Sequence, residues 1–251
     1  MSSLAISVIT LGCVFGGALI GMILQTVLPR HHLSEETKDV VKLGMGLVGT
    51  MAALVLGLLV ASAKGSYDTQ STEVTDLAAN VVLLDRALAH YGPEAKELRG
   101  GLSNAVSAIM GQIWSQGPGS SGRVGAPAFQ GEAFYDRIQQ LSPKDDNQRA
   151  LQAQALGLAV SMGKTRWLMY AQNVVGVSVP MLVILVGWLA VIFASFGLFA
   201  PRNATVLVSL FVSALSVSGA ILLILEMYAP YSGLIQISDA PLRAALTNLG
   251  R

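Results

Sequence analysis

Four long stretches of this chain carry no formally charged side chain. Residues 4–28, 43–63, 167–200 and 203–225 contain no Asp, Glu, Lys or Arg. Each is as long as, or longer than, the ~20 residues a helix needs to cross the hydrocarbon core of a bilayer. In lipid a backbone N–H or C=O finds no water, so a spanning segment must satisfy its polar groups internally, and a helix does so within one segment. The pattern predicts an all-α membrane protein with four transmembrane helices in a 2 + 2 layout. The expected domains are 1–63 (helices one and two with a short loop), 64–166 (an extramembrane helical bundle continuous with spans two and three), 167–229 (helices three and four) and 230–251 (a C-terminal tail).

Composition agrees with this. The chain is 53% hydrophobic and 12% charged, against about 25% charged in soluble domains. A net charge of +1 gives no basic field for nucleic acid and no acidic sink for cations. The implied surroundings are a lipid bilayer. The single cysteine, Cys13, lies inside the first window and precludes an intrachain disulfide. That window lacks a basic flank and exceeds the ~7–15 apolar residues of a signal-peptide core, so it reads as a retained span.

Periodicity fills in the elements. Gly12, Gly16, Gly17 and Gly21 form two small-xxx-small pairs in span one, suited to close helix approach. Pro29 ends it. Ser34 is placed as an N-cap with Glu35 and Glu36 in the positive first turn. No proline follows until Pro93, so span two and the polar stretch after it are predicted as one helix. Gly49, Ala53, Gly57 and Ala61 recur every fourth residue and make a smooth ridge, for a neighbouring helix or a narrow lumen. Val74, Leu77, Val81, Leu84, Leu88 and Tyr91 step by three and four, a coiled-coil-like seam that Gly92-Pro93 breaks.

A second amphipathic helix follows on Leu98, Leu102, Ala105, Ile109 and Ile113; residues 116–128 read as a flexible loop; Phe134, Ile138 and Leu141 mark a short third helix. Ser142-Pro143-x-Asp145 predicts a helix start with Ser142 as cap. Its seam, Leu151, Ala155, Leu158, Met162, Thr165 and Met169, leads into span three, which Pro180 should kink. Trp167 and Tyr170 suit an interfacial belt. In span four Ser209, Ser213 and Ser216 share a face, either bonding a neighbouring helix, the commoner use, or lining a wet pore.

Few residues suggest chemistry. Glu226 is an acid at the end of span four, either a hydrated interfacial group or a functional one. His31-His32 with Glu35 and Glu36 lacks an i, i+4 histidine pair, and no metal site is expected there. The segment 117–122 lacks the Lys-Ser/Thr and preceding strand of a phosphate loop. No nucleophile–base pair stands out. The expectation is a protein that is not an enzyme and needs no cofactor.

Two segments resemble the bacterial bestrophin-like family. One runs Leu28-Pro29, His32-Leu33-Ser34, Glu36-Thr37-Lys38-Asp39-Val40-Val41, Leu43-Gly44 and Thr50-Met51-Ala52-Ala53-Leu54-Val55-Leu56-Gly57-Leu58-Leu59, ending Ala61-Ser62-Ala63-Lys64. The other is Leu225-Glu226-Met227, Pro230-Tyr231, Gly233-Leu234-Ile235 and Ile237-Ser238. The resemblance implies an oligomeric ion channel or pore, pentameric and anion-selective as true bestrophins are, in a bacterial inner membrane with both termini cytoplasmic. It implies a pore lined by span two, and Pro230-Tyr231-x-Gly233 is similar to the Pro-Phe-Gly after the last bestrophin span. The chain departs from true bestrophins in three places. It has only Asp239 where they carry an acidic calcium clasp, it has no aromatic neck in span two, and Tyr228 stands where an Asp is common. Calcium gating is therefore not implied. The competing expectation is a non-conducting scaffold or sensor that meets a protein partner through residues 69–172.

Overall fold

The computed structural model describes residues 2–29, 34–114, 130–174 and 178–250. The described residues form α-helices joined by short connections, with no strand among them. The helices are α1 (Ser3–Val27), α2 (Glu35–Tyr91), α3 (Lys96–Trp114), α4 (Gln130–Gln139), α5 (Asp146–Val174), α6 (Val179–Phe199), α7 (Ala204–Met227) and α8 (Ala240–Asn248). Four of these, α1, α2, α6 and α7, are long and apolar enough to cross a membrane. In α2 the apolar part is the charge-free stretch 43–63. The chain divides into two compact units, 1–65 with 177–227 and 66–176 with 228–251.

The first unit is built on close helix packing. A Cβ placed at Gly17 or Gly21 of α1 would overlap the backbone carbonyl of Ala190 or Ala194 on α6, and one at Gly197 would overlap Ala18. So the Gly17/Gly21 pair is the one used, while Gly12 and Gly16 face open space. Small side chains let the two backbones touch, which replaces the hydrophobic drive that lipid cannot supply. Val14, Ala18, Phe193 and Ala214 are buried where α1, α6 and α7 meet. The α6–α7 return at Pro201-Arg202-Asn203 is tied down: Arg202 Nη2 donates to the Met22 carbonyl, its Nε donates to Gln25 Oε1 at 3.3 Å, and Asn203 Oδ1 caps α7 by accepting from Val206 N at 2.8 Å.

Span three differs from the expectation. Ser178 is extended, with ψ 98°, and α6 starts at Val179 with Pro180 in its first turn. Proline has no N–H to lose there, because the first four N–H groups of a helix lack intrahelical acceptors anyway. Pro180 therefore starts a helix and does not kink one, and α5 is not continuous with the span. Trp167 and Tyr170 belong to α5, with ring centroids 5.5 Å apart.

The second unit holds the main apolar core. The seam from Val74 to Tyr91 is buried throughout and packs with Leu98, Leu102, Val106, Ile138, Ala155 and Met169. Gly92, at φ +130°, ends α2 in a conformation that L side chains rarely adopt. Asp85 is almost wholly buried; its carboxylate accepts from Arg99 Nε and Nη2 at 2.7 and 2.9 Å and from Gly250 N at 3.4 Å. One acid thus clamps α2, α3 and the C-terminal end. The start of α5 is corrected as well. Asp145, not Ser142, caps it, accepting from Gln148 N at 2.7 Å, while Gln148 Oε1 accepts from Lys144 N at 2.7 Å. This reciprocal pair satisfies more donors than a lone serine would. The C-terminal tail carries α8, whose Leu242 and Ala245 are buried in the same core.

Candidate functional site

The post-span motif makes a tight turn held from several sides. Ser232 N donates to Ala229 O at 3.0 Å, and Ile237 N donates to Pro230 O at 2.8 Å. Gly233, at φ +94°, supplies the left-handed residue the turn requires. Trp114 Nε1 donates to Ile237 O at 2.9 Å, and its indole meets the Tyr231 ring edge-on with centroids 5.8 Å apart. Tyr67 OH donates to Gln236 O at 3.3 Å. Pro230 and Tyr231 are buried and Gly233 is exposed. The motif is therefore a docked corner of the second unit.

The second unit holds several buried polar groups that a helical core would normally avoid. Gln172 Nε2 donates to Glu73 Oε1 at 2.7 Å. Gln70 is buried and donates to Ser66 Oγ at 3.3 Å. Gln70 Oε1, Glu73 Oε2, Gln172 Oε1, the Tyr231 hydroxyl and Arg166 Nη1 are all buried without a hydrogen-bond partner. Burial raises the Glu73 carboxyl above its ordinary range, against the lowering effect of the Gln172 bond, and Asp76 adds to the rise. Burial also pushes the Tyr231 phenol up, with Glu73 reinforcing and Arg166 opposing. Burial pulls Arg166 down, and the Tyr231 phenol opposes that. The Tyr231 phenol therefore feels the charge of both Glu73 and Arg166 in a poorly solvated place.

None of Gln70, Glu73, Arg166 or Gln172 was singled out in the sequence, although a signal for two of them was there. Extending the α2 seam back from Val74 by four gives Gln70, and extending the α5 seam on from Met169 by three gives Gln172. Each heptad stripe ends on a polar amide at a core position. Glu73 and Arg166 lie one residue off their seams and carry no such mark.

The pore candidates lie in the first unit. Ala53, Gly57 and Ala61 of α2 are exposed and Gly49 is half-buried. Nothing stands within 4 Å of a Cβ at Gly49 or Gly57. Ser209, Ser213 and Ser216 on α7 are exposed, and Ser216 Oγ bonds back to Val212 O at 2.9 Å. The serine that joins helices is Ser218, whose Oγ donates to Ser7 O at 2.6 Å. Glu226 is buried at 5% exposure, so it is not a hydrated interfacial acid. His31, His32 and the 116–128 loop lie outside the described residues. Among the described residues no cluster of three or more His, Cys, Asp or Glu side chains is placed to hold a metal.

These features define an all-helical membrane protein whose second helical unit contains the post-span corner. The bestrophin-like domain family matches residues 12–242, and the chain belongs to that family. In fold it is similar to a point mutant of a bacterial bestrophin homolog from Klebsiella pneumoniae, with a TM-score of 0.71 at 14% identity over 99% of this chain and 97% of that one. No curated protein matches it.

Proposed function

We propose that this protein is an ion-conducting pore formed by several copies of the chain, lined by the Gly49, Ala53, Gly57 and Ala61 ridge of α2. The observation that carries the reading is the contrast between two sets of small residues. Gly17, Gly21 and Gly197 are spent on packing α1 against α6, whereas a Cβ at Gly49 or Gly57 would meet nothing of the chain within 4 Å. Small residues on a helix have two uses in a membrane: close approach to another helix or room for a path. The α2 ridge, every fourth residue along one face, suits a narrow lumen closed by symmetry-related copies. The exposed serines of α7 are secondary lining candidates.

Family membership supports the pore class, and anion selectivity and a pentameric ring are carried over from true bestrophins. The same likeness supports a bacterial inner membrane as the location, and we carry over from true bestrophins the arrangement with both termini cytoplasmic. It supports α1, residues 43–63 of α2, α6 and α7 as the membrane part, so that span three begins at Val179 and not at residue 167, with 64–166 and the tail outside it.

The test is ion flux into proteoliposomes. Wild type should give flux, and Ala53→Leu or Gly57→Leu should reduce it severalfold with assembly unchanged. Absence of flux across salts, voltages and pH would remove the pore reading and favour a scaffold acting through residues 69–172.

A further inference from the structure

Helices α2, α3, α4 and α5 of the second unit line a half-open cavity of about 540 Å3, within the ~300–1,000 Å3 range of small-molecule sites. Leu77, Leu84, Leu102, Val106, Phe134 and Met162 supply most of an apolar wall. One buried cation interrupts it. Arg166 lines the cavity, is only 7% exposed, and leaves Nη1 without a hydrogen-bond partner. A guanidinium keeps its charge in proteins even where burial opposes it. An unneutralised cation in an apolar wall is costly unless an anion completes it.

We propose that this cavity binds a free aliphatic monocarboxylate, with its hydrocarbon tail on the apolar wall and its carboxylate on Arg166. Shape and charge both select for this class. The apolar wall favours a tail over a sugar or nucleotide, and a planar guanidinium matches a carboxylate. Glu132 and Asp136 also line the cavity and are exposed. Their negative charge disfavours a ligand with a second acid group. The proposal does not depend on conduction, because every residue in it belongs to the second unit.

The experiment is calorimetric titration of octanoate into the full-length protein in nanodiscs, with empty nanodiscs as blank and octan-1-ol as the uncharged control. Wild type should bind octanoate saturably. Octan-1-ol, and octanoate with Arg166→Met, should bind about tenfold or more weakly, as expected for loss of a charge-assisted hydrogen bond. Ala159→Phe fills the cavity, keeps Arg166, and should abolish binding. If Arg166→Met fails to assemble, Ala159→Phe decides alone. Heat no greater than that of empty nanodiscs, wild-type binding by Arg166→Met, or wild-type binding by Ala159→Phe would each overturn the proposal.

Discussion

Ser7 of α1 and Ser218 of α7 each hydrogen-bond the other's backbone: Ser7 Oγ lies 3.0 Å from Ser218 O, and Ser218 Oγ lies 2.6 Å from Ser7 O, with the two hydroxyls 2.8 Å apart. Both side chains are buried. A hydroxyl in lipid has no water to fall back on, so the pair pins α1 to α7 at one register. Interhelical bonds of this kind in membranes contribute ~0.6 kcal/mol each, up to ~1.7. Ser7→Ala, Ser218→Ala and the double variant should give a coupling energy in that range in a denaturant titration. Each single should cost less than the double, because it removes its own hydroxyl-to-carbonyl bond and leaves the other in place; the coupling reports the contact between the two hydroxyls.

The α1–α6 contact makes a sharper prediction. Gly21→Ala pushes a methyl into the Ala194 carbonyl, whereas Gly16→Ala points one into open space. Gly21→Ala should lower the thermal midpoint measurably or reduce assembled yield. Gly16→Ala should be neutral, or gain up to ~1 kcal/mol of helix propensity. Equal behaviour of the two variants in a thermal-shift assay would contradict the packing described.

Asp85 sets the acid limit of the second unit. Burial alone would raise its pKa, but the bidentate Arg99 bond and the Gly250 N–H outweigh that and hold it below the ordinary 3.8. Its stabilisation is therefore complete above the unfolded carboxylate range and is lost as pH falls through the depressed folded value. Asp85→Ala leaves Arg99 without a partner. The Arg99 side chain is 23% exposed and partly hydrated, so the cost should be about 2–3 kcal/mol, below the ~3–5 of a fully buried pair. Asp85→Asn should cost less and remove the acid-side loss, which melting curves over pH would show.

Glu73 has the opposite sign. Burial lifts its pKa above 4.5, so the folded protein holds that proton more tightly than the unfolded chain. Stability from this site is full below the ordinary carboxylate range and declines as pH rises through the raised folded value. Glu73→Gln stays neutral throughout and keeps an acceptor for Gln172. It should melt with wild type in acid and above it near pH ~8. A variant less stable than wild type at both ends would show that the ionised carboxylate is needed.

The four charge-free windows were enough to place α1, the apolar part of α2, and α7, because lipid leaves a backbone no alternative to the helix. Ser34 as N-cap was equally plain, and Thr37 N donates to its Oγ at 3.3 Å. Span three was misread because Pro180 is compatible with either a kink or a helix start, and only the extended backbone at Ser178 distinguishes them. The serine face of α7 was legible as a face but not in what it meets. A period of 3.6 groups Ser209, Ser213 and Ser216, but which face meets α1 depends on Ser7, some two hundred residues away in the chain. Arg166 and Glu73 were invisible because charge beside a seam usually means a solvated flank, whereas here both lie close enough to the post-span Tyr231 to act on its phenol.

The pore reading is tested most directly at Gly57. In a Cys13→Ser background, Gly57→Cys protein is reconstituted in a planar bilayer and exposed to a charged, water-soluble methanethiosulfonate while current is recorded. A thiol facing a water-filled path reacts, and its charged adduct should cut or reshape the current, with Cys13→Ser alone unaffected. Current that is steady through complete, independently verified modification, or a thiol that never reacts in a conducting protein, would contradict a path lined by α2.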